Sequence, residues 1–169
     1  MEEIEAITKN SSFVENMMEH VFISEILQEA WIKRKEKLDI LRAEVDDSGY
    51  DIIISKGKTT RYIQLKTSIV GGKTRIQKLN INLVDKQNGC IVWMVRDIDE
   101  RQRFKLKYLY FGSHVGCDFP DISNYKIGKY GKGNAQGIKL ERPAIREIPK
   151  SAFKEINTTS ELYDELFNE

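Results

Sequence analysis

The sequence predicts an α/β fold, and three features carry that expectation. Near the N-terminus, apolar residues recur at three- and four-residue steps, the period of a helix. Two turn signals then separate three short segments rich in β-branched residues. Farther on, a wholly apolar run and an alternating run read as a buried strand and a strand with one wet face. A length of 169 residues suits one domain. Residues 1–169 are therefore read as a single unit with a loose N-terminus over residues 1–10.

The elements follow in order. Ser12 and Glu15 have the spacing of a capping box. Behind them Phe13, Met17, Val21, Ile26, Leu27, Ala30 and Trp31 predict an amphipathic helix over residues 12–34. Lys33, Arg34, Lys35 and Lys37 crowd its C-terminal end, where the helix dipole favours cations. Leu38 to Val45 reads as a strand, and Asp46-Asp47-Ser48-Gly49 as a turn. Tyr50 to Ser55 is the second strand, Lys56-Gly57-Lys58 a turn, and Thr60 to Thr67 the third strand of an antiparallel meander. Ile76 to Val84 and Arg103 to Phe111 alternate and read as strands, and Cys90 to Val95 reads as a buried one. Pro143 to Pro149 is expected to be a connector. Short helices are expected over Ser151–Ile156 and Ser160–Phe167, the latter capped by Ser160.

Composition narrows the function classes. The chain is 40% apolar and 31% charged, with 27 basic and 26 acidic residues. A net charge of +1 excludes a surface that is basic throughout, but not a local basic patch. No apolar run approaches the roughly 20 residues of a membrane span. Met1 to Asn10 is polar and acid-rich, unlike a secretory signal, so a cytoplasmic protein with no membrane partner is expected. Cys90 and Cys117 cannot build a disulfide framework, and His114 with Cys117 lacks the second pair that a structural zinc needs. There is no GxxxxGK[ST] loop, so nucleoside triphosphate binding has no support and no small-molecule cofactor is expected.

The meander carries polar residues in unusual places. Asp51 opens an otherwise apolar strand. Gln64 and Lys66 stand two apart on the next strand and so share a face. Such a face is either ordinary wet surface or a polar site. Hairpin pairing brings the start of the second strand close to the end of the third, and so Asp51 close to both. A hard divalent cation such as Mg²⁺ wants oxygen ligands. Asp51 offers a carboxylate, Gln64 an amide oxygen, and Leu65 a backbone carbonyl. Lys66 could then orient an attacking water or offset charge on a phosphorane-like transition state.

A helix, a meander with Asp47-Ser48-Gly49-Tyr50-Asp51-Ile52-Ile53-Ile54, and then Tyr62-Ile63-Gln64-Leu65-Lys66-Thr67-Ser68 resembles the PD-(D/E)XK nuclease superfamily. The likeness is nearest to its Mrr-type and Holliday-junction-resolvase-like branches and covers about residues 12–70. The resemblance implies a restriction-endonuclease-like fold, a central mixed sheet opened by the meander and flanked by helices. It implies a DNA endonuclease, a hydrolase using Mg²⁺ or Mn²⁺, and often a homodimer. Residue by residue it makes Asp51 the metal-binding aspartate and Lys66 the signature lysine. Gln64 stands where many relatives carry a second acid. Glu19, or alternatively Glu25, would be the helix-borne glutamate near the metal. A neutral Gln64 lowers the site's charge, so a weakly active or inactive module that binds nucleic acid or a protein partner is the alternative.

Two stretches could hold DNA. Lys56 to Lys78 contains seven basic residues (Lys56, Lys58, Arg61, Lys66, Lys73, Arg75 and Lys78) and no acidic one. Basic side chains beside a phosphodiesterase site would pin flanking phosphates. Tyr125 to Asn134 interleaves Lys126, Lys129 and Lys132 with Tyr125, Tyr130 and three glycines. Such a segment suits stacking and close backbone approach, and equally an ordinary surface loop.

Overall fold

The structure, a computed structural model, describes residues 10–44 and 48–168. Most of the expected loose N-terminus lies outside the described residues, as do Val45 and the turn residues Asp46 and Asp47. Helix α1 (Ser11–Gln28) runs on into a π-helical turn (Glu29–Arg34). The expected Ser12 cap is not made: Asn10 holds the N-cap position, and its side chain makes no capping hydrogen bond. The chain then leaves the helix through Lys35, whose φ of 60° is left-handed.

The buried stripe of α1 is Val14, Met18, Phe22 and Ile26, continued by Ala30, each four residues on from the last. This corrects the face read from sequence. Phe13 and Trp31 are 68% and 60% exposed, and Leu27 is exposed too. The helix is apolar on two sides, so its period is visible but the buried side is not. Only packing against the sheet decides it.

Among the described residues nine strands form two sheets. β1 (Asp39–Arg42), β2 (Ile52–Lys56), β3 (Thr59–Ile69), β5 (Gly89–Ile98), β6 (Phe104–Gly112) and β9 (Lys154–Ile156) lie in that order in a six-stranded mixed sheet. Among the described residues the β3–β5 pair alone is parallel. The β1–β2–β3 meander is present as the sequence predicts. Its second turn is the two-residue Gly57-Lys58, with Gly57 at the positive φ (57°) that a twisted hairpin needs. β4 (Ile76–Asn80), β8 (Glu141–Pro149) and β7 (Lys126–Lys129) form a three-stranded antiparallel sheet in the order β4-β8-β7.

Four segments differ from the sequence reading. The segment from Ile76 stops being a strand at Asn80 and tightens into a 3₁₀ turn (Ile81–Leu83). Pro143–Pro149 is no connector but most of β8, the middle strand of the second sheet. Its prolines sit near the two ends of the strand, where a missing N–H is tolerated. Ser151–Ile156 is a 3₁₀ turn (Lys150–Ala152) followed by β9, not a helix. Helix α2 (Thr159–Phe167) is capped by Thr158, whose side chain accepts from the Glu161 N–H at 3.1 Å, rather than by Ser160.

Both helices pack on one face of the large sheet. Phe22, Ile26, Leu162 and Phe167 meet Ile52, Ile63, Val92 and Tyr108 there. The other face is covered by the second sheet, through Leu79, Leu83 and Ile148 against Ile91, Trp93 and Phe111. The molecule is thus a mixed α/β protein with layers of helix, sheet and sheet. Among the described residues, helices flank one face of the large sheet only. Among the described residues no helix is long and apolar enough to cross a membrane.

Candidate functional site

The site forms where one strand outruns its neighbour. β2 pairs with β3 only as far as Ile52 opposite Ile63, whereas β3 continues to Ile69 with β5 alone on its other side. Asp51 lies at this step. Its N–H donates to the Ile63 carbonyl at 2.9 Å, although Ile63 is already the partner of Ile52. Two successive residues opposite one is the pattern of a β-bulge, a device that re-aims a side chain. The carboxylate turns toward the freed edge of β3, and its Oδ2 accepts the Leu65 N–H at 2.6 Å. In a strand the N–H and C=O of one residue point to the same edge. The Leu65 carbonyl therefore opens toward Asp51 as well.

The chain reaches Asp51 through Gly49, which has φ 79°. A Cβ there would stand 3.0 Å from the Leu83 nitrogen and 3.2 Å from Cβ of Asn80. Only glycine lets the approach to Asp51 pass so close to the 3₁₀ turn.

Asp51, Leu65 and Lys66 line one cleft of about 540 Å³. Glu15, Asn16 and Glu19 close it from α1, and Ile76, Gln77 and Lys78 from the start of β4. A smaller cleft of about 330 Å³ shares Asn16, Glu19 and Asp51 and opens toward Arg42 and Tyr50. Asp51 and Glu19 thus stand at the junction of the two. Glu19 is committed to a short charged hydrogen bond with Arg42 Nε, while Arg42 Nη2 lies 3.4 Å from His20 Nε2. The alternative glutamate, Glu25, lies elsewhere: its Oε2 accepts from the Thr159 hydroxyl at 2.9 Å, tying α1 to α2.

Gln64 lies on the side of β3 that faces the second sheet. Tyr62 belongs to the core on that side, and Ile63 and Leu65 to the other. Gln64 is only 6% exposed and does not line the cleft, yet its Oε1 is buried without a hydrogen-bond partner. Leaving such an acceptor unmet costs about 1–3 kcal/mol.

The donor set fits a hard divalent cation in chemistry. The cleft itself offers one carboxylate and one backbone carbonyl, whereas the unpartnered Gln64 amide oxygen stands off its lining. A carboxylate has about four acceptor positions, so the Leu65 bond does not exhaust Asp51. Among the described residues no group of three or more Asp, Glu, His or Cys side chains could hold a metal. Any cation here would depend on the amide and the carbonyl.

The basic residues singled out from sequence do not form one patch. Lys78 lines the Asp51 cleft, and Arg75 lines a neighbouring one. Lys73 is exposed between β3 and β4. Lys56 sits five residues along β2 from Asp51, about 16 Å away. Its ammonium lies 3.6 Å from Glu36 and over the rings of Tyr163 and Phe167. Lys58 is exposed in the turn beyond it. Arg61 is 0% exposed, donating to the Tyr110 hydroxyl and, at 2.8 Å, to the Ser113 carbonyl. It cannot meet a phosphate from there. Lys129 is on β7, and Tyr130 and Lys132 follow in an exposed loop where Arg142 stacks 5.3 Å from the Tyr130 ring. Comparison with protein-family models, curated proteins and solved structures finds no match for the chain.

Proposed function

We propose that the chain is a metal-dependent endonuclease of restriction-endonuclease-like fold that hydrolyses phosphodiester bonds in DNA. The observation that carries this reading is the step at the end of β2. There the Asp51 carboxylate accepts the Leu65 N–H, with Lys66 in the same cleft. Asp51, Gln64 and the Leu65 carbonyl would hold Mg²⁺ or Mn²⁺. The bound ion would supply Lewis-acid polarisation of the phosphoryl group and ease water ionisation. Lys66 offsets negative charge gathering on the phosphate and orients the attacking water. The leaving oxygen takes its proton from solvent. Glu15 on the opposite wall keeps the cleft electronegative, and Lys78 holds a non-bridging oxygen.

The test is supercoiled plasmid with Mg²⁺ or Mn²⁺. Wild type should nick it, and Lys66→Ala should lower the rate at least 100-fold, the scale of removing one transition-state charge partner. Equal nicking by both proteins would end the reading.

One observation favours a second reading. Glu19 is neutralised by Arg42, and Gln64 carries no charge, so Asp51 alone would provide the site's negative ligand. A module that binds nucleic acid without cutting would show no metal-dependent nicking, yet shift DNA in a salt-sensitive way. The fold also leaves room for a homodimer acting on both strands, which sedimentation would detect.

A further inference from the structure

A second cleft, of about 430 Å³, opens beside the Asp51 cleft at the C-terminal ends of the parallel strands β3 and β5. The two clefts divide neighbouring residues between them: Thr67 and Ser68, Ile76 and Arg75, Met94 and Val95. Ser68 is two residues past Lys66, about 7 Å along the strand. Four cations line this second cleft, Arg75, Lys105, Lys107 and Lys150, against two carboxylates, Asp97 and Glu155.

The cations come from three separate parts of the chain and are aimed by the fold. Ser68 pairs with Val95, and Val95 with Lys107, while Asp97 pairs with Lys105. Alternation puts these on the face that carries Lys66 and Trp93. The Lys150 N–H donates to the Arg75 carbonyl at 2.8 Å, clipping the exit of β8 to the entry of β4. The Lys150 ammonium then lies 5.8 Å from the Trp93 ring, and the Trp93 indole N–H donates to Ser68 Oγ at 2.9 Å. Lys105 and Lys107 are exposed, and neither joins an ion pair among the described residues.

We propose that this cleft is a phosphate-binding site that seats nucleic-acid backbone flanking the bond presented to Lys66. It rests on the nucleic-acid part of the function proposed above. Unpaired lysines and an arginine around an open cleft suit phosphate oxygens. Backbone is preferred to a free nucleotide because the cleft offers no aromatic face for a base: Trp93 and Tyr108 are buried to 0% and 1% exposure. It also adjoins, residue for neighbouring residue, the cleft where the phosphodiester would lie.

The test is fluorescence anisotropy of a labelled DNA duplex in EDTA, so that binding is read without cutting. Replacing both lysines (Lys105→Gln with Lys107→Gln) should weaken binding about tenfold or more near 0.1 M salt. It should also make the plot of log K against log salt shallower by about 1.8, the increment for two phosphate contacts. Lys107→Glu should weaken binding further than Lys107→Gln, and Lys107→Arg should restore it. Unchanged melting temperatures of these surface variants exclude misfolding as the cause. An unchanged affinity and slope overturns the proposal, even if Lys66→Ala abolishes nicking. No DNA binding by wild type also overturns it. Calorimetry with deoxyadenosine monophosphate separates the sources: nucleotide binding that the double variant loses, with DNA affinity intact, would make this a free-nucleotide site. Lost binding in the double variant together with no nicking under any metal would leave this site standing and the hydrolytic reading refuted.

Discussion

Replacing Gln64 with glutamate tests how the Asp51 cleft is built. In the absence of metal the substitution buries a second carboxylate on the strand beside Asp51, at a position only 6% exposed and without a hydrogen-bond partner for its Oε1. Burying a charge there without a partner costs several kcal/mol. Uptake of a proton trims this to about 2 kcal/mol near neutral pH. For a domain of this length each kcal/mol moves the melting temperature by about 2–4 °C. Gln64→Glu in EDTA should therefore melt about 4–8 °C below wild type. The loss should grow as the pH rises, because burial lifts the introduced acid above its unfolded-state value of about 4.3, and it ionises more readily in the unfolded chain. With Mg²⁺ the order changes. A one-carboxylate site half-filled near 2 mM gains about 1 kcal/mol at 10 mM ion, whereas a two-carboxylate site near 0.1 mM gains about 2.7 kcal/mol. The variant's metal-induced shift should be more than double that of wild type. Gln64→Met is the complementary arm: it removes the unmet acceptor, should raise the melting temperature in EDTA by a few degrees, and should erase the Mg²⁺ shift. Scanning calorimetry reads all of these. If Gln64→Glu melts within about 1 °C of wild type in EDTA and gains no larger shift with Mg²⁺, the amide oxygen does not share a cation with Asp51.

Three further outcomes follow from the geometry. Arg42→Ala releases Glu19 from its ion pair beside Asp51; the Mg²⁺ concentration for half-maximal thermal shift should fall about fivefold, equivalent to about 1 kcal/mol of restored negative potential, and an unchanged midpoint would place Glu19 outside the site. Arg61→Ala should cost about 3–5 kcal/mol in urea denaturation, because it hollows a fully buried site against Tyr110 and Ser113, while leaving the salt slope of DNA binding as in wild type. The hydrogen bond from Arg34 at 2.7 Å holds the Asp164 carboxyl below the usual aspartate value, so its stabilisation is present above about pH 4 and is lost as pH falls through the folded-state pKa; Asp164→Asn should flatten the decline of melting temperature below pH 5.

The meander was legible because its signals are local. Asp47-Ser48-Gly49 and Lys56-Gly57-Lys58 announce turns, and Ile52-Ile53-Ile54 has no competing reading. β8 was illegible because Pro143 and Pro149 mask a strand whose partner β4 lies far away in sequence and whose partner β7 is joined to it by a long loop rather than a tight turn. β9 is three residues long and exists only through its bonds to β6. The buried face of α1 failed for a different reason. Phe13, Leu27 and Trp31 are as apolar as Met18, Phe22 and Ile26, so nothing in the helix itself chooses between them.

In the site, the errors trace to counting charge without parity. Arg61, Ile63 and Leu65 share one side of β3, and the last two already marked that side as core. Arg61 therefore belonged inside, whatever the charge of the run around it. Parity puts Lys105 and Lys107 on one face of β6, but only the β3–β5–β6 register makes that the face of Lys66 and brings them to one cleft. Asp51 shows the limit of this arithmetic. Strict alternation gives its carboxylate a face of the sheet, whereas the doubled pairing at Ile63 turns it toward the strand edge and the Leu65 N–H. That turn depends on β3 continuing after β2 has ended, which is a property of two strands together. Carboxylate, carbonyl and lysine meet because the sheet is stepped there; a β2 longer by two residues would cover the edge and leave no cleft for either a cation or a phosphate.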